Sequence, residues 1–124
     1  NKDILSIMVK VPDDGLGKIE NGKVIKYNSI NDIKRLAEGS AAAGAILTTA
    51  GVDPTTITST VFRGAHPGGT AAIGEVVDKN LQTNITGLYV ADASVIPWSP
   101  GKPPILLILA LALRLANHLI EEYS

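Results

Sequence analysis

The sequence predicts an α+β protein with a small β-sheet that contains a hairpin, a packing helix, and a long apolar helix at the C-terminus. Three observations predict this fold. Asn21-Gly22 separates two short apolar runs, Ser29 precedes apolar residues at helical spacing, and an almost uninterrupted apolar run covers residues 103–113. The 124 residues suffice for one compact domain or for part of a larger protein.

The N-terminal segment has the composition of β-structure. Residues 4–11 alternate in part between apolar and polar side chains and end at a Pro-Asp-Asp-Gly turn, so we expect a strand there. Residues 17–19 and 24–27 then flank Asn21-Gly22. Both residues of that dipeptide favour positive φ, which two-residue hairpin turns require.

A helix is expected to begin after Ser29 and to end near Gly51. The Ser29 hydroxyl can cap free backbone amides, and Asp32 lies three residues on, near the positive end of the helix. The apolar residues at helical spacing are Ile30, Ile33, Leu36 and Ala37. Small residues at 39–45 allow close packing, and Gly51 is suited to terminate the helix.

The second half of the chain alternates between short apolar segments and glycine-rich or proline-rich loops. Residues 55–62 are β-branched and predict a strand, and two short strands are expected around residues 76–77 and 88–91. A proline-rich loop leads into the last helix, which should run to about Glu122 with prolines in its first turn. The apolar run is shorter than the roughly 20 residues of a membrane span, so we expect a buried helix.

Composition excludes several classes of protein. Eleven Lys and Arg are scattered among twelve Asp and Glu, which disfavours a nucleic-acid or anionic-membrane partner. Without cysteine, disulfides, thiolate metal sites and cysteine nucleophiles are excluded, and no His, Asp and Glu cluster has metal-ligand spacing. No secretory signal is visible, so we expect a cytoplasmic location. Because Asn1 stands where an initiator Met would, we expect part of a longer protein.

His66 is the candidate for chemistry, because it lies in the glycine-rich segment 63–74. Glycine allows the backbone to approach a ligand closely, and histidine transfers protons near neutral pH. The alternative is a structural histidine that donates one hydrogen bond to a carbonyl. The local sequence alone slightly favours that alternative.

Several motifs in register resemble the C-terminal signature of the glucose–methanol–choline (GMC) oxidoreductases. They are His66-Pro67-Gly68-Gly69-Thr70-Ala71-Ala72-Ile73-Gly74, Val76-Val77-Asp78, Gly87-Leu88-Tyr89-Val90-Ala91-Asp92-Ala93-Ser94-Val95-Ile96-Pro97 and Ala110-Leu111-Ala112-Leu113-Arg114-Leu115-Ala116. The resemblance is close over about residues 60–120. It implies an FAD-dependent enzyme that oxidises an alcohol to a carbonyl and passes hydride to flavin N5, with His66 as the base.

The resemblance also implies a division of labour within the chain. Residues 1–70 would belong to the substrate region that covers the flavin, and residues 71–124 would return to the FAD-binding region and end in the buried helix. The family holds FAD through an N-terminal Rossmann-type segment, which this chain lacks. The expected partners are therefore a small-molecule alcohol and the N-terminal half of the same protein. The isolated chain should be inactive, and its exposed apolar surface should favour self-association.

Further cofactor contacts are implied at two places. Asp92 and Ala93 would contact the ribityl chain and pyrophosphate, although the local sequence alone favours a simple Asx turn that caps the end of the strand. Pro103, Pro104 and Ile105 would form the helix start that faces the flavin, and the alternative is an ordinary buried helix start.

Lys102 departs from the family pattern, in which a second His or an Asn partners the catalytic histidine. Lys102 could be solvated, could bind an anionic substrate, or could replace that partner. Its presence leaves a second hypothesis open, a non-catalytic lid or interaction module that keeps the scaffold without flavin chemistry.

Overall fold

The computed structural model describes residues 4–15 and 17–124. The chain forms two compact units, Asn1–Arg63 (unit 1) and Gly64–Ser124 (unit 2). Unit 1 contains strands β1 (Gly17–Glu20) and β2 (Lys23–Lys26), helix α1 (Ile30–Thr49) and a short 3₁₀ turn at Pro54–Thr56. Unit 2 contains a 3₁₀ turn at Ala93–Val95 and helix α2 (Ile105–Tyr123). The α+β prediction is confirmed.

The hairpin forms where the sequence predicts it. Strands β1 and β2 are antiparallel, with Gly17 opposite Lys26 and Glu20 opposite Lys23. Asn21 and Gly22 connect them with φ of 51° and 71°. Positive φ at both positions matches the twist of the flanking strands, so this local turn sets the register.

Both ends of α1 also follow the prediction. The Asp32 amide donates to Ser29 Oγ at 3.0 Å, and the Ser29 amide donates to Asp32 Oδ2 at 2.8 Å. This reciprocal capping box satisfies two amides that the helix itself leaves unpaired. At the other end Gly51 adopts a φ of 91°, a left-handed conformation that is costly for most other residues.

A charged network ties the loop before the hairpin to the start of α1. The Asp14 amide donates to Asp32 Oδ1 at 3.0 Å, and Arg35 Nη1 lies 2.8 Å from Asp14 Oδ1 and 3.1 Å from Asp32 Oδ1. The Ser29 backbone amide holds the pKa of Asp32 below its usual value. The Ser29 hydroxyl and then Arg35 do the same for the pKa of Asp14. Asp32, only 1% exposed, is therefore buried as a paired and hydrogen-bonded ion.

Two strands that the sequence predicts in unit 1 do not form, so both predictions are wrong. Residues 4–11 and 57–62 form no strand, and residues 54–56 form the 3₁₀ turn, which Asp53 caps. The described residues provide no further strand to pair with either segment, since the sheet has two strands. Val9 instead packs against α1 at Gly39, where an added Cβ would lie 2.5 Å from Val9 Cγ1.

Unit 2 is built on a small apolar core. Val95 (0% exposed) and Leu81 (1%) are fully buried, and Val77, Ile96 and Leu115 are buried beside them. The half-buried side chains packed against this core are Ile73, Tyr89, Val90, Ile108, Leu111 and Leu119. The core therefore joins the 3₁₀ turn to α2 and to the loops between residues 72 and 90.

The short strands expected around residues 76–77 and 88–91 are isolated bridges instead. The bridges pair Ile73 with Val77, Val77 with Thr83, and Gln82 with Tyr89. Gly74, Leu81 and Gly87 have positive φ and turn the chain between these pairs. Each of these bridges therefore stays a single residue pair, because the chain turns before a second pair can form.

Helix α2 occupies the predicted position but is not buried as predicted. It begins at Ile105 with Pro104 as its N-cap, so the prolines precede the first turn and do not lie within it. Among its described residues Leu115 alone is buried, whereas Leu106 is 81% exposed. None of the helices among the described residues has the length and the apolar character that a bilayer span requires.

Acid should destabilise unit 1. The pKa values of Asp14, Asp32 and Asp53 are lowered in the folded chain. Their stabilisation is therefore present above the unfolded value, near 4, and is lost as pH falls through the folded values. Below about pH 4 we expect a lower urea concentration at the midpoint of unfolding, measured by circular dichroism. Asp32→Asn should reduce this acid dependence and Glu38→Gln, on the exposed part of α1, should not. An acid response that is identical in both variants would contradict the network.

Loss of core volume should destabilise unit 2. Leu81→Ala removes a fully buried side chain and should lower the free energy of unfolding by about 2–5 kcal/mol. Leu106→Ala changes an exposed leucine and should alter it by less than about 0.5 kcal/mol. Urea unfolding of both variants compares the two positions. Equal losses would show that the core assignment is wrong.

Candidate functional site

His66 lies in an exposed loop of unit 2 with an unusual backbone conformation. Its φ is 60°, in the left-handed region that few non-glycine residues adopt. Pro67 follows it, and a residue before proline is normally extended. Such a conformation costs on the order of 1–3 kcal/mol and persists only where the surrounding structure enforces it. Strain of this kind is typical of functional loops.

A close backbone contact lies two residues further on, at Gly68. A Cβ on Gly68 would lie 2.7 Å from the Ala93 carbonyl oxygen and 3.5 Å from that of Ile96. Gly69 has a φ of 85°, which favours glycine for a separate reason. The loop after His66 therefore lies directly against the 3₁₀ turn in a way that side chains would prevent.

Backbone hydrogen bonds continue this contact. The Ala71 amide donates to the Ser94 carbonyl at 3.0 Å, and the Ile73 amide donates to the Val95 carbonyl at 3.0 Å. Val95 is anchored in the core of unit 2. The structure thus brings the loop that carries His66 together with the turn that carries Asp92 and Ala93.

Asp92 caps that turn. Its Oδ1 accepts from the Ser94 amide at 2.7 Å, which is the Asx-turn arrangement that the sequence allowed. Hydrogen bonds from the Ser94 side chain and backbone lower the pKa of Asp92. The exposed carboxylate is therefore ionised at neutral pH, and a carboxylate has acceptor sites on both oxygens. Its turn-capping role leaves capacity to accept hydrogen bonds from a ligand.

The start of α2 is a set of backbone donors. Pro104 is buried at the N-cap and gives no side-chain hydrogen bond, and the first helical bond runs from the Ile108 amide to the Pro104 carbonyl at 2.9 Å. The amides of Ile105 and Leu106 precede that bond. Pro103 and Pro104 have no amide hydrogen to donate. This end of α2 carries a partial positive charge of about half a unit.

Lys102 is exposed. Its three alternatives, a solvated side chain, an anionic substrate and a partner role, all stay predictions. Pro103 beside it is also exposed.

Unit 2 has a surface cavity, but the candidate residues do not line it. This open cavity of about 500 Å³ lies beside the C-terminal end of α2. Its lining residues are Gly87, Tyr89, Leu119, Ile120, Tyr123 and Ser124. In the described ranges, no group of three or more His, Asp or Glu is placed to hold a metal ion. The candidate residues therefore lie outside this cavity, and no metal cluster accompanies them in this part of the chain.

The contact between Gly68 and Ala93 is the feature of this site that sequence reasoning missed. The consecutive glycines after His66 indicated close approach to a ligand, whereas Gly68 approaches the chain itself. Nothing local in the sequence identifies Ala93 as the partner.

Comparisons with known proteins identify the family to which the chain is similar. A family model described as GMC oxidoreductase matches residues 24–112. An uncharacterized protein of Methanocaldococcus jannaschii is 38% identical over 119 residues, which cover 96% of this chain and 30% of that protein. The neither inactivation nor afterpotential protein G of Drosophila melanogaster is 40% identical over 58 residues, 46% of this chain and 10% of that protein. No solved structure matches the chain.

Proposed function

Because the chain belongs to the GMC oxidoreductase family and corresponds to its C-terminal domain, we propose that it forms the C-terminal part of an FAD-dependent alcohol dehydrogenase or oxidase. The observation that carries this proposal is the close packing of the His66 loop on the Asp92–Ala93 turn through Gly68. This packing supports the proposal, because the loop that carries His66 contacts the turn that carries Asp92 and Ala93 within unit 2. The chain spans 30% of the archaeal relative, so the activity belongs to the longer protein.

The donors and acceptors of unit 2 suit a flavin nucleotide. The Asp92 carboxylate would accept from a ribityl hydroxyl, and the Ala93 amide would donate to the same part of the cofactor. The amides of Ile105 and Leu106, at an α2 start without a side-chain cap, would stabilise negative charge on the isoalloxazine. Bound FAD would supply the hydride acceptor for alcohol oxidation. Pro103 and Pro104 would shape this helix start without donating to it.

His66 would handle the proton. An alcohol that loses hydride from its carbon must also lose its hydroxyl proton, and a base about 3 Å from that oxygen lowers the barrier. An imidazole nitrogen of His66 would accept this proton, and the resulting cation would favour alkoxide character at the same oxygen. The exposed loop leaves His66 accessible to a substrate.

The rest of the protein would complete the site. We assign to it the nucleotide-binding segment that the family carries at its N-terminus. The exposed apolar side chains of α2 include Ile105, Leu106, Leu109 and Leu113. Covering them against that segment would remove apolar surface from water. The division at residue 70 into substrate and FAD-binding regions and the cytoplasmic location remain predictions.

Replacement of His66 should slow the chemical step in the complete protein. His66→Ala removes the proposed base, so stopped-flow absorbance should show flavin reduction by an alcohol slowed by about two to four orders of magnitude. His118→Ala is the matched control, because His118 pairs with Glu122 on α2 at 3.1 Å and has no role in the proposed reaction. Unchanged reduction kinetics in His66→Ala would remove His66 from the catalytic role.

The 124-residue chain alone should not bind FAD tightly, because the site that holds the pyrophosphate lies mostly outside it. We expect a colourless protein after purification and no saturable change in flavin fluorescence on titration with FAD. A yellow purified chain would contradict this assignment of the binding residues.

A further inference from the structure

We propose that the exposed apolar face of α2 is a docking surface for a helix from the part of the complete protein that lies outside these 124 residues. This face, the α2 seam, consists of Leu106, Leu109, Leu113, Ala116, Ile120 and Tyr123. The inference rests on the proposed function, which assigns a further segment to the complete protein. It adds the kind of element that covers α2 and the way in which that element packs.

The spacing of the seam residues suits lengthwise packing against another helix. From Leu106 to Tyr123 the intervals along the chain are three, four, three, four and three residues. Apolar residues at these intervals form one stripe along a helix, and the side chains of a facing helix fit between them. A second helix that lies nearly parallel or antiparallel to α2 is therefore the element that this stripe fits.

The seam is distinct from the face of α2 that packs within unit 2. That inward face contacts the core through Ile108, Leu111, Leu115 and Leu119. The five large side chains of the seam are each at least 60% exposed. Arg114 and Glu121 lie seven residues apart on a third, charged strip, because seven residues are close to two helical turns. Helix α2 therefore has two apolar faces, and unit 2 covers one of them.

The cavity of unit 2 lies at the C-terminal end of the seam. Its volume is about 500 Å³, and its walls include the seam residues Ile120 and Tyr123 together with Leu119 and Tyr89. Side chains that fill such pockets carry much of the binding energy of protein interfaces. A helix that follows the seam to this end would place an apolar side chain in the cavity.

The seam is too small to hold two copies of the chain together by itself. It is about 27 Å long and a helix is about 10 Å wide, so its footprint on a partner is on the order of 300 Å². Each partner in a stable complex buries about 800 Å². The seam also covers about two and a half heptads, fewer than the three or four that indicate a coiled coil. A second copy is therefore not the occupant that we propose.

A helix of the same polypeptide needs less contact area. It is held near α2 by the chain, so docking loses little translational freedom. The archaeal relative has room for such a helix, since the 119 matched residues make up 30% of its length. A lipid surface fits less well, because helices that lie on membranes are rich in Lys and Arg. Arg114 is the single such residue in α2.

Cysteine labelling tests whether the complete protein covers the seam. The chain has no cysteine, so Ala116→Cys adds one thiol within the seam. Glu121→Cys is the matched control, because it adds a thiol to the charged strip of the same helix. In the complete protein Ala116→Cys should react with a maleimide about tenfold more slowly than Glu121→Cys, because reaction requires local opening. In the 124-residue chain at micromolar concentration both thiols should react at similar rates.

Either of two labelling results would overturn the proposal. One is equal reaction of the two thiols in the complete protein. The other is slow reaction of Ala116→Cys in the 124-residue chain, because a second copy or the chain itself would then cover the seam. Labelling does not depend on flavin. A complete protein that protects position 116 but retains no FAD defeats the proposed function, whereas one that oxidises alcohols with position 116 unprotected defeats the docking proposal alone.

Photocrosslinking tests whether the occupant is a helix. Benzoylphenylalanine substituted in turn for Leu109, Leu113 and Ala116 of the complete protein should crosslink to one segment of the same polypeptide, outside these 124 residues. Mass spectrometry should locate the three attachment points three or four residues apart, the repeat of a facing helix. Attachment points two residues apart would indicate a strand, and crosslinks to a second molecule would indicate a dimer. Either result would overturn the proposal.

Discussion

Burial of Val95 is the constraint on which the organisation of unit 2 depends. Val95 is fully inaccessible to water, and its neighbours in the core come from α2 and from the loops between residues 72 and 90. A turn with so buried an end cannot move without opening the core, and close-packed interiors resist such shifts. The glycine-rich loop rests on this turn through Gly68 and two backbone hydrogen bonds. Apolar packing in the core thus fixes the position of polar groups at the surface.

Unit 1 is held by a different kind of interaction. The buried apolar side chains of the described residues all lie in unit 2, whereas the buried residue of unit 1 is Asp32. Its carboxylate joins the cap of α1 to the loop at Asp14 and to Arg35. Large apolar residues such as Val24, Ile30 and Ile46 remain exposed. Unit 1 is therefore held by polar contacts and buries little apolar surface. Any surface that covers these exposed side chains would stabilise it.

The sequence predicted correctly the turns and helix caps that depend on residues close together in the chain. Asn21-Gly22 and the Ser29–Asp32 capping box act over a few residues, and both formed as expected. The strands expected at residues 4–11 and 55–62 did not form, because a strand needs a partner that its own composition cannot supply. The Gly68–Ala93 contact joins segments distant in sequence, so no local pattern reveals it. The proposed role of His66 came from the resemblance to the GMC family, since the loop chemistry alone slightly favoured a structural histidine.

The central claim is that this chain supplies one part of a flavin site for alcohol oxidation. Anaerobic addition of primary and secondary alcohols to the purified complete protein tests it most directly, with flavin absorbance and carbonyl product measured together. We expect a protein that retains FAD and is bleached by at least one alcohol, with carbonyl product formed in the same amount as reduced flavin. A complete, folded protein that retains no flavin, even after incubation with FAD, would contradict it.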